Sequence, residues 1–168
     1  MSKAPQARTK TPKPRHRPKT SAATAPRTST VRSQNWAIQA LPGLNTDNQA
    51  KLLAQGIATT LQLCRHTATP EQRATLASQL QIHPQYVNKW AALADLSRLP
   101  SVGCEYCGLL LHAGIASPGQ LAQMPFHKVH QQVMKLHVTL LNQTALCPSL
   151  GQVKQWVQEA LLLHRSRP

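Results

Sequence analysis

Carboxylates are scarce in this chain: 5 Asp and Glu residues stand against 19 Lys and Arg residues, which gives a formal net charge of +14. Such an excess of cations favours polyanionic partners, such as DNA, RNA or an acidic membrane surface. Because the few carboxylates are not close in sequence, we expect no general acid–base pair. A Walker-type phosphate loop and a nucleophile elbow are also missing. We therefore predict a non-enzymatic protein that has no catalytic residues and needs no metal or cofactor.

Long apolar runs are missing as well. No stretch approaches the roughly 18 residues that a membrane span requires, and no apolar segment follows the basic start, as a secretory signal would need. An organelle transit peptide is the alternative, although frequent prolines disfavour an amphipathic targeting helix. We expect a cytoplasmic protein whose 4 cysteines are reduced thiols.

Residues 1–33 form a basic leader that combines 9 cations with no carboxylate. Apart from alanine and proline, its only apolar side chains are Met1 and Val31. The leader therefore buries too little surface to offset its ordering entropy, and we predict that it is disordered. We favour an arm that neutralises phosphates over a merely solubilising segment. The leader cations that we expect to contact nucleic acid are Lys10, Lys13, Arg15, Arg17 and Lys19.

An apolar-proline-turn-apolar pattern occurs twice. Residues 38–45 read IQALPGLN, and residues 96–103 read LSRLPSVG, at an offset of 58 residues. The same offset relates the Leu-Leu pair at residues 52–53 to that at residues 110–111, and Gly56 to Gly114. A shared pattern of this length indicates an internal duplication.

Each copy is predicted to place a tight turn between two helices. A proline stops the first helix, at Leu41 or Leu99, because it cannot donate the next backbone hydrogen bond. Small or turn-tolerant residues follow; residues 43–45 are called the first hairpin and residues 101–103 the second hairpin. The next helices are expected over residues 46–55 and 104–113, where Gly56 and Gly114 would end them as C-cap glycines.

The rest of the chain also has helical periodicity and no convincing strand alternation. Thr69 followed by Pro70 indicates a helix start, Pro84 starts another helix, and a final helix is predicted over residues 151–164. We predict an all-α fold in which tandem repeats, at about residues 36–93 and 94–163, share one compact helical domain over residues 34–164. The expected core anchors are Trp36, Trp90 and Trp156.

Residues 36–163 as a whole resemble an uncharacterised bacterial family of tandem helix-hairpin-helix proteins. The resemblance is carried by Leu80–Ile82, Val87–Trp90, Ala94–Leu96, Leu99–Gly103, Glu105–Tyr106, Leu109–Leu110, Ala113–Ile115, Pro148–Leu150, Val153 and Trp156. It implies a tandem helix-hairpin-helix fold and no particular activity. The wider class mostly binds double-stranded DNA without sequence preference, through hairpin backbone amides on phosphate.

The physics of such a hairpin agrees with that behaviour. A glycine-bearing turn that opens a helix presents free N–H groups and the positive end of the helix dipole to a phosphate, without reading bases. We predict nucleic-acid binding, with double-stranded DNA favoured over RNA and the second hairpin favoured over the first. The expected hairpin contacts and flanking cations are Gly43, Asn45, Ser101, Gly103, Lys51, Arg98 and Lys128.

Both hairpins depart from the double-glycine pattern. Asn45 replaces the second glycine of the first hairpin, and Ser101 replaces the first glycine of the second hairpin. Asparagine tolerates a positive φ, so we expect the turn to survive. Asp47 and Glu105, near the two helix starts, would repel phosphate. The alternative is that both hairpins are purely structural.

Other readings of the sequence remain open. The main one is a protein–protein interaction adaptor, or assembly factor, that docks on a larger complex through its helical array. Residues 76–90 also resemble a helix-turn-helix, with Gln85, Asn88 and Lys89 as base readers. Cys104 and Cys107 have zinc-ligand spacing, or would form a redox pair with a thiol pKa lowered by the helix start. The residues available to complete a zinc site are Cys64, His66, His112 and Cys147, and we expect His127, His130 and His137 to be ordinary surface or satisfied histidines.

Overall fold

A computed structural model describes residues 31–140 and 147–165 of the chain. Most of the basic leader, including its five candidate cations, lies outside the described residues. The last leader residues, 31–33, are described, and Ser33 Oγ accepts a hydrogen bond from Arg98 Nη2 at 3.2 Å. The described part of the chain therefore includes three residues before the predicted domain boundary at residue 34.

The described residues are helical, which confirms the predicted fold class for this part of the chain. An isolated bridge between Ala37 and Thr59 is the only β-type pairing among them. None of the described helices is long and apolar enough to span a membrane. In chain order the elements are a 3-10 helix over Ile38–Ala40 and the α-helices α1 (Thr46–Ala54), α2 (Thr60–His66), α3 (Pro70–Leu80), α4 (Pro84–Leu96), α5 (Gly103–His112), α6 (Pro118–Gln123), α7 (Phe126–Leu140) and α8 (Leu150–Arg165).

Several helix starts use a hydroxyl that caps a backbone amide three residues later. Thr69 caps α3 in this way with Pro70 at the first helical position, as the sequence predicted. Thr59 and Ser117 cap α2 and α6 by the same rule. Such caps fix where each helix begins, because the first amides of a helix have no internal acceptor.

The hydrogen bonds around Gly56 recur around Gly114. Ile57 N–H donates to Leu52 O at 2.9 Å, and Ile115 N–H donates to Leu110 O at the same distance, 58 residues later. Gly56 has a φ of +76° and Gly114 a φ of +85°. Both are therefore left-handed C-cap glycines of the Schellman type, as predicted.

Helix packing follows the same duplication. In the first half α1 packs on α3, and both α2 and α3 pack on α4. In the second half α5 packs on α7, and both α6 and α7 pack on α8. Helix α4 also packs on α5 and so joins the halves, and a single hydrophobic cluster runs through both. Trp90 and Trp156 lie fully inside this cluster, which confirms them as core anchors.

The two C-cap glycines generate a stability prediction. Gly56→Ala and Gly114→Ala should each lower the free energy of unfolding by about 1 to 2 kcal/mol, because alanine is strained at positive φ while nothing lies within 4 Å of the added Cβ. Urea unfolding followed by circular dichroism measures the change.

Gly108→Ala and Gly119→Ala are the matched controls. Gly108 and Gly119 lie within α5 and α6, and their added Cβ atoms would meet only ordinary contacts beyond 3.6 Å. We expect these variants to be neutral or to gain up to about 1 kcal/mol. Equal effects at all four glycines would contradict the C-cap assignment.

Candidate nucleic-acid interface

The second hairpin is covered by a strap (residues 34–38) that precedes the first helix. The strap is fixed at Trp36, whose backbone exchanges two hydrogen bonds with Thr60 at 2.9 and 3.0 Å. The Trp36 indole donates to Ser97 O at 2.8 Å, and its ring lies over Gly103. Gly103 is buried, and an ideal Cβ on it would come within 3.1 Å of the Trp36 ring. The missing Cβ at Gly103 therefore makes room for an indole of the same chain.

A carboxylate of the same chain accepts a hydrogen bond from a backbone amide of the second hairpin. Ser101 N–H donates to Glu159 Oε2 at 3.0 Å, and Ser101 O accepts from the Trp156 indole at 3.0 Å. Gln155 holds the other carboxylate oxygen of Glu159 at 3.0 Å. Helix α8 thus binds the hairpin with an anion in the manner that a phosphate would use.

These contacts reverse the preference between the two hairpins. The sequence analysis favoured the second one for phosphate contact, but Gly103 is covered and the Ser101 amide is already paired. The expectation that Ser101 and Gly103 are open to a ligand is wrong, because long-range packing of Trp36 and α8 closes the turn. The purely structural alternative describes this hairpin better.

The first hairpin is open. Gly43 is exposed and has a φ of +78°, a conformation that glycine adopts without strain. Lys89 Nζ lies 3.7 Å from the position that a Cβ on Gly43 would occupy. Pro42, which precedes the hairpin, lies against Gly108 of α5 and anchors the turn on the fold. A glycine turn with an ammonium group beside it is thus presented to solvent.

The backbone amides of the two hairpins also differ in whether they have internal acceptors. In the second hairpin Val102 N–H and Gly103 N–H both donate to Leu99 O, at 3.1 and 2.9 Å. Their counterparts, Leu44 and Asn45, have no such acceptor within residues 31–140 and 147–165. The first hairpin therefore keeps donors for an external acceptor.

Asn45 serves a different purpose from the one that the sequence suggested. Its φ is −81°, not positive, and its side chain accepts from Asn48 N–H at 2.8 Å as the N-cap of α1. An N-cap residue has an extended backbone, which explains the difference. Asn45 thus fixes the start of α1 and is exposed, but its side-chain oxygen is committed to the helix.

Two of the three predicted flanking cations make contacts of their own. Lys51 Nζ donates to Leu80 O at 3.1 Å, at the C-terminal end of α3. Arg98 pairs with Asp95 at 2.8 Å and with Ser33 at 3.2 Å. The Lys51 ammonium and the Arg98 guanidinium are therefore both engaged within the fold, and neither is free beside a hairpin. Lys128 is exposed on α7.

Lys89 is the hairpin cation that sequence reasoning missed, because it was considered only as a base reader. The signal was a Val-x-x-Trp pattern that occurs at residues 87–90 and again at residues 153–156, so that Trp90 corresponds to Trp156. Since Trp156 contacts the second hairpin, the residue next to Trp90 was a candidate neighbour of the first hairpin. The correspondence is incomplete, because Trp90 Nε1 is buried without a partner in the described part of the chain, whereas Trp156 Nε1 donates to Ser101.

An acidic residue accompanies each hairpin. Asp47 is exposed in the first turn of α1, and Glu105 is exposed in the first turn of α5, 58 residues later. A carboxylate at either position interacts favourably with the positive end of the helix dipole and would repel a phosphate bound at the helix start. Only Asp47 lies next to an open hairpin.

Helix α4 connects the two halves of the core. It packs against α2, α3 and α5, and six of its side chains are buried. Gln85, Asn88 and Lys89 are exposed on it. A recognition helix must offer one face to a DNA groove, so the helix-turn-helix reading stays a prediction.

The thiols of α5 do not have the properties of a redox pair. Burial raises the pKa of Cys104, and burial together with the neighbouring Cys104 raises the pKa of Cys107 to about 12. The alternative that the helix start lowers a thiol pKa is therefore wrong, since loss of solvent outweighs the helix dipole. Among the described residues no three His, Cys, Asp or Glu side chains are grouped as a metal site would need.

The histidines of α7 are ordinary. His127 is exposed and contacts Phe126 edge to face at 5.9 Å, and His130 is partly buried. The side chain of His137 lies outside the described residues.

Within the described residues, fold and site define an all-helical protein in which similar turns recur 58 residues apart, the first hairpin open and the second closed by an intramolecular carboxylate. The chain belongs to the family of the domain of unknown function DUF4332, which matches residues 42–163. Comparison with curated proteins and with solved structures gave no match.

The closed hairpin generates a stability prediction. Glu159→Ala should lower the free energy of unfolding by about 1 to 3 kcal/mol, because it leaves the partly buried Ser101 amide without an acceptor. Glu159→Gln keeps an acceptor oxygen and should recover most of the loss. Urea unfolding measures both variants, with Gln158→Ala, which truncates an exposed side chain of α8, as a control. If Glu159→Ala left the free energy of unfolding unchanged, the carboxylate would not be what holds the hairpin.

The raised thiol pKa values generate a reactivity prediction. The thiolate is the reactive form, so buried Cys107 should not react with DTNB at mildly alkaline pH in the folded protein. A Cys107→Ala variant should therefore titrate the same number of thiols as the parent when folded. In urea it should titrate one thiol fewer. A lower count in the folded variant would contradict the burial.

Proposed function

We propose that the protein binds nucleic acid without sequence preference, through phosphate contacts of the first hairpin and the basic leader. The observation that carries the proposal is the open first hairpin, where exposed Gly43 at positive φ lies beside the ammonium group of Lys89. We interpret the two copies as helix-hairpin-helix units, of which the first is the binding unit.

Several features support phosphate as the ligand. Backbone amides without an internal acceptor favour an anion at the start of α1. Glycine allows close approach because it has no Cβ. The second hairpin supplies a precedent, since its Ser101 amide already binds a carboxylate. Contacts of this kind carry no base information, so we expect DNA duplexes of any sequence to bind alike.

The leader supplies the long-range attraction. Residues 1–33 carry +9 of the total charge of +14, which leaves +5 for the rest of the chain. Cations that neutralise phosphates release counterions. We propose that the leader contributes most of the affinity and that the first hairpin orients the folded domain on the backbone. Double-stranded DNA is favoured over RNA on the helix-hairpin-helix interpretation.

Substitutions at equivalent positions of the two copies test the proposal. Asp47→Asn should strengthen DNA binding, because it removes the carboxylate beside the open hairpin. Glu105→Gln makes the same change beside the closed hairpin and should have little effect. Fluorescence anisotropy with a labelled DNA duplex measures both, on the full chain. Equal effects of the two substitutions would contradict a binding role specific to the first hairpin.

Salt dependence tests the role of Lys89. Lys89→Gln should weaken binding and reduce the slope of log affinity against log salt by about 0.9, as expected for one lost phosphate contact. Lys154→Gln, which removes an exposed charge from α8, is the control. Replacing Lys10, Lys13, Arg15, Arg17 and Lys19 by glutamine in the full chain measures the share of the leader. If Lys89→Gln and Lys154→Gln behave alike, the first hairpin is not the contact.

A further inference from the structure

A groove of about 930 Å³ lies along α2 and α4, and the proposed phosphate contact does not use it. Its apolar lining includes Leu61 and Cys64 of α2 and Ala91 and Ala92 of α4. The alanine side chains are short, so a partner backbone can approach α4 closely. Asn88 lines the groove as well and offers an exposed amide.

Arginines dominate the charge of the groove. Arg65, Arg73 and Arg98 line it together with a single carboxylate, Asp95. Asp95 pairs with Arg98 at 2.8 Å, which leaves the lining with an excess of two cations.

Two of these arginines have donors to spare. Arg73 Nε donates to Thr67 O at 2.8 Å, which fixes the guanidinium while its terminal nitrogens have no acceptor within the described residues. Arg65 is exposed and makes no hydrogen bond or ion pair there. A guanidinium presents a planar fork that matches a carboxylate with two parallel hydrogen bonds. The groove therefore offers preformed sites for acidic groups beside an apolar floor.

The charge and lining of the groove select among possible occupants. Ser33, the last leader residue, lines the groove and binds Arg98. The leader as a whole is basic and without carboxylates, so like charge disfavours it as the occupant. A single-stranded nucleic acid would use aromatic side chains on which its bases stack, and no aromatic residue lines the groove. A peptide that alternates carboxylates with aliphatic side chains satisfies both the arginines and the floor.

We propose that the groove between α2 and α4 binds an acidic peptide segment of a partner protein. Carboxylates of the peptide pair with Arg65 and Arg73, and its aliphatic side chains pack on Leu61, Ala91 and Ala92. The protein thus has two separate surfaces, one for phosphate at the first hairpin and one for an acidic protein segment.

Selection from a random library of short displayed peptides, on the full-length protein at physiological salt, tests the proposal. We expect enrichment of Asp and Glu next to aliphatic residues. Each selected peptide is then synthesised in two labelled versions. The acidic version keeps the selected sequence, and in the amide version Asn and Gln replace Asp and Glu. The acidic version should bind, and the amide version should lose about tenfold or more in affinity, as expected for lost charge-assisted hydrogen bonds.

Groove variants locate the binding. Arg65→Gln should weaken the acidic peptides about tenfold, whereas Arg165→Gln, which removes an exposed arginine from α8, should not. Ala92→Phe fills the floor without changing charge and should also weaken binding. Arg65 makes no hydrogen bond or ion pair within the described part of the chain, so its variant should fold, which circular dichroism checks.

Three outcomes would overturn the proposal. They are selection without acidic enrichment, affinity that is unchanged in Arg65→Gln and Ala92→Phe, and competition by a single-stranded oligonucleotide that depends on Arg65 in the same way. The last outcome would assign the groove to nucleic acid. Lys89→Gln should leave peptide binding unchanged, so failure here is distinguishable from failure at the first hairpin.

Discussion

The hydrogen bond from Ser101 N–H to the Glu159 carboxylate, at 3.0 Å, is the contact on which the rest of the arrangement depends. It joins the turn between α4 and α5 to the last helix, 58 residues away. Trp156 and Trp36 close the same turn from α8 and from the strap. Residues from both ends of the described chain thus meet at one hairpin, and the core of both halves forms around it. The buried Glu159 carboxylate is tolerated there because both of its oxygens accept hydrogen bonds.

The contrast between the two hairpins arises within a shared backbone pattern, as the predicted duplication would leave. The same backbone turn occurs at Gly56 and Gly114, with the same hydrogen bonds, so the copies keep a common frame. What differs is the neighbouring helix. Helix α8 brings Glu159 to the second hairpin, whereas α4 brings Lys89 to the first. An anion closes one copy and a cation stands beside the other, so one frame supports a structural hairpin and a hairpin suited to an anionic ligand.

Local features of this fold could be predicted from the sequence, and long-range ones could not. Gly56, Gly114 and the Thr69-Pro70 helix start follow from backbone and capping preferences of single residues. A glycine at position 103 is compatible with a phosphate or with an indole, and only the fold shows that Trp36 is the neighbour. Asn45 was ambiguous for a similar reason, since asparagine suits both a left-handed turn and an N-cap. In each case the residue type restricted the choices and a distant partner decided between them.

The division of charge between leader and domain determines which contacts a measurement of salt dependence would detect. Counterion release depends on the number of cations that neutralise phosphates, so the salt slope reports the leader and Lys89. Backbone amides are neutral, and a contact made by the Gly43 turn therefore adds affinity without adding slope. A hairpin contact and an electrostatic contact of the leader are thus separable within the same chain. Because the second hairpin is closed, the proposal leaves one such amide site between the two hairpins, and the leader would have to supply the remaining attraction.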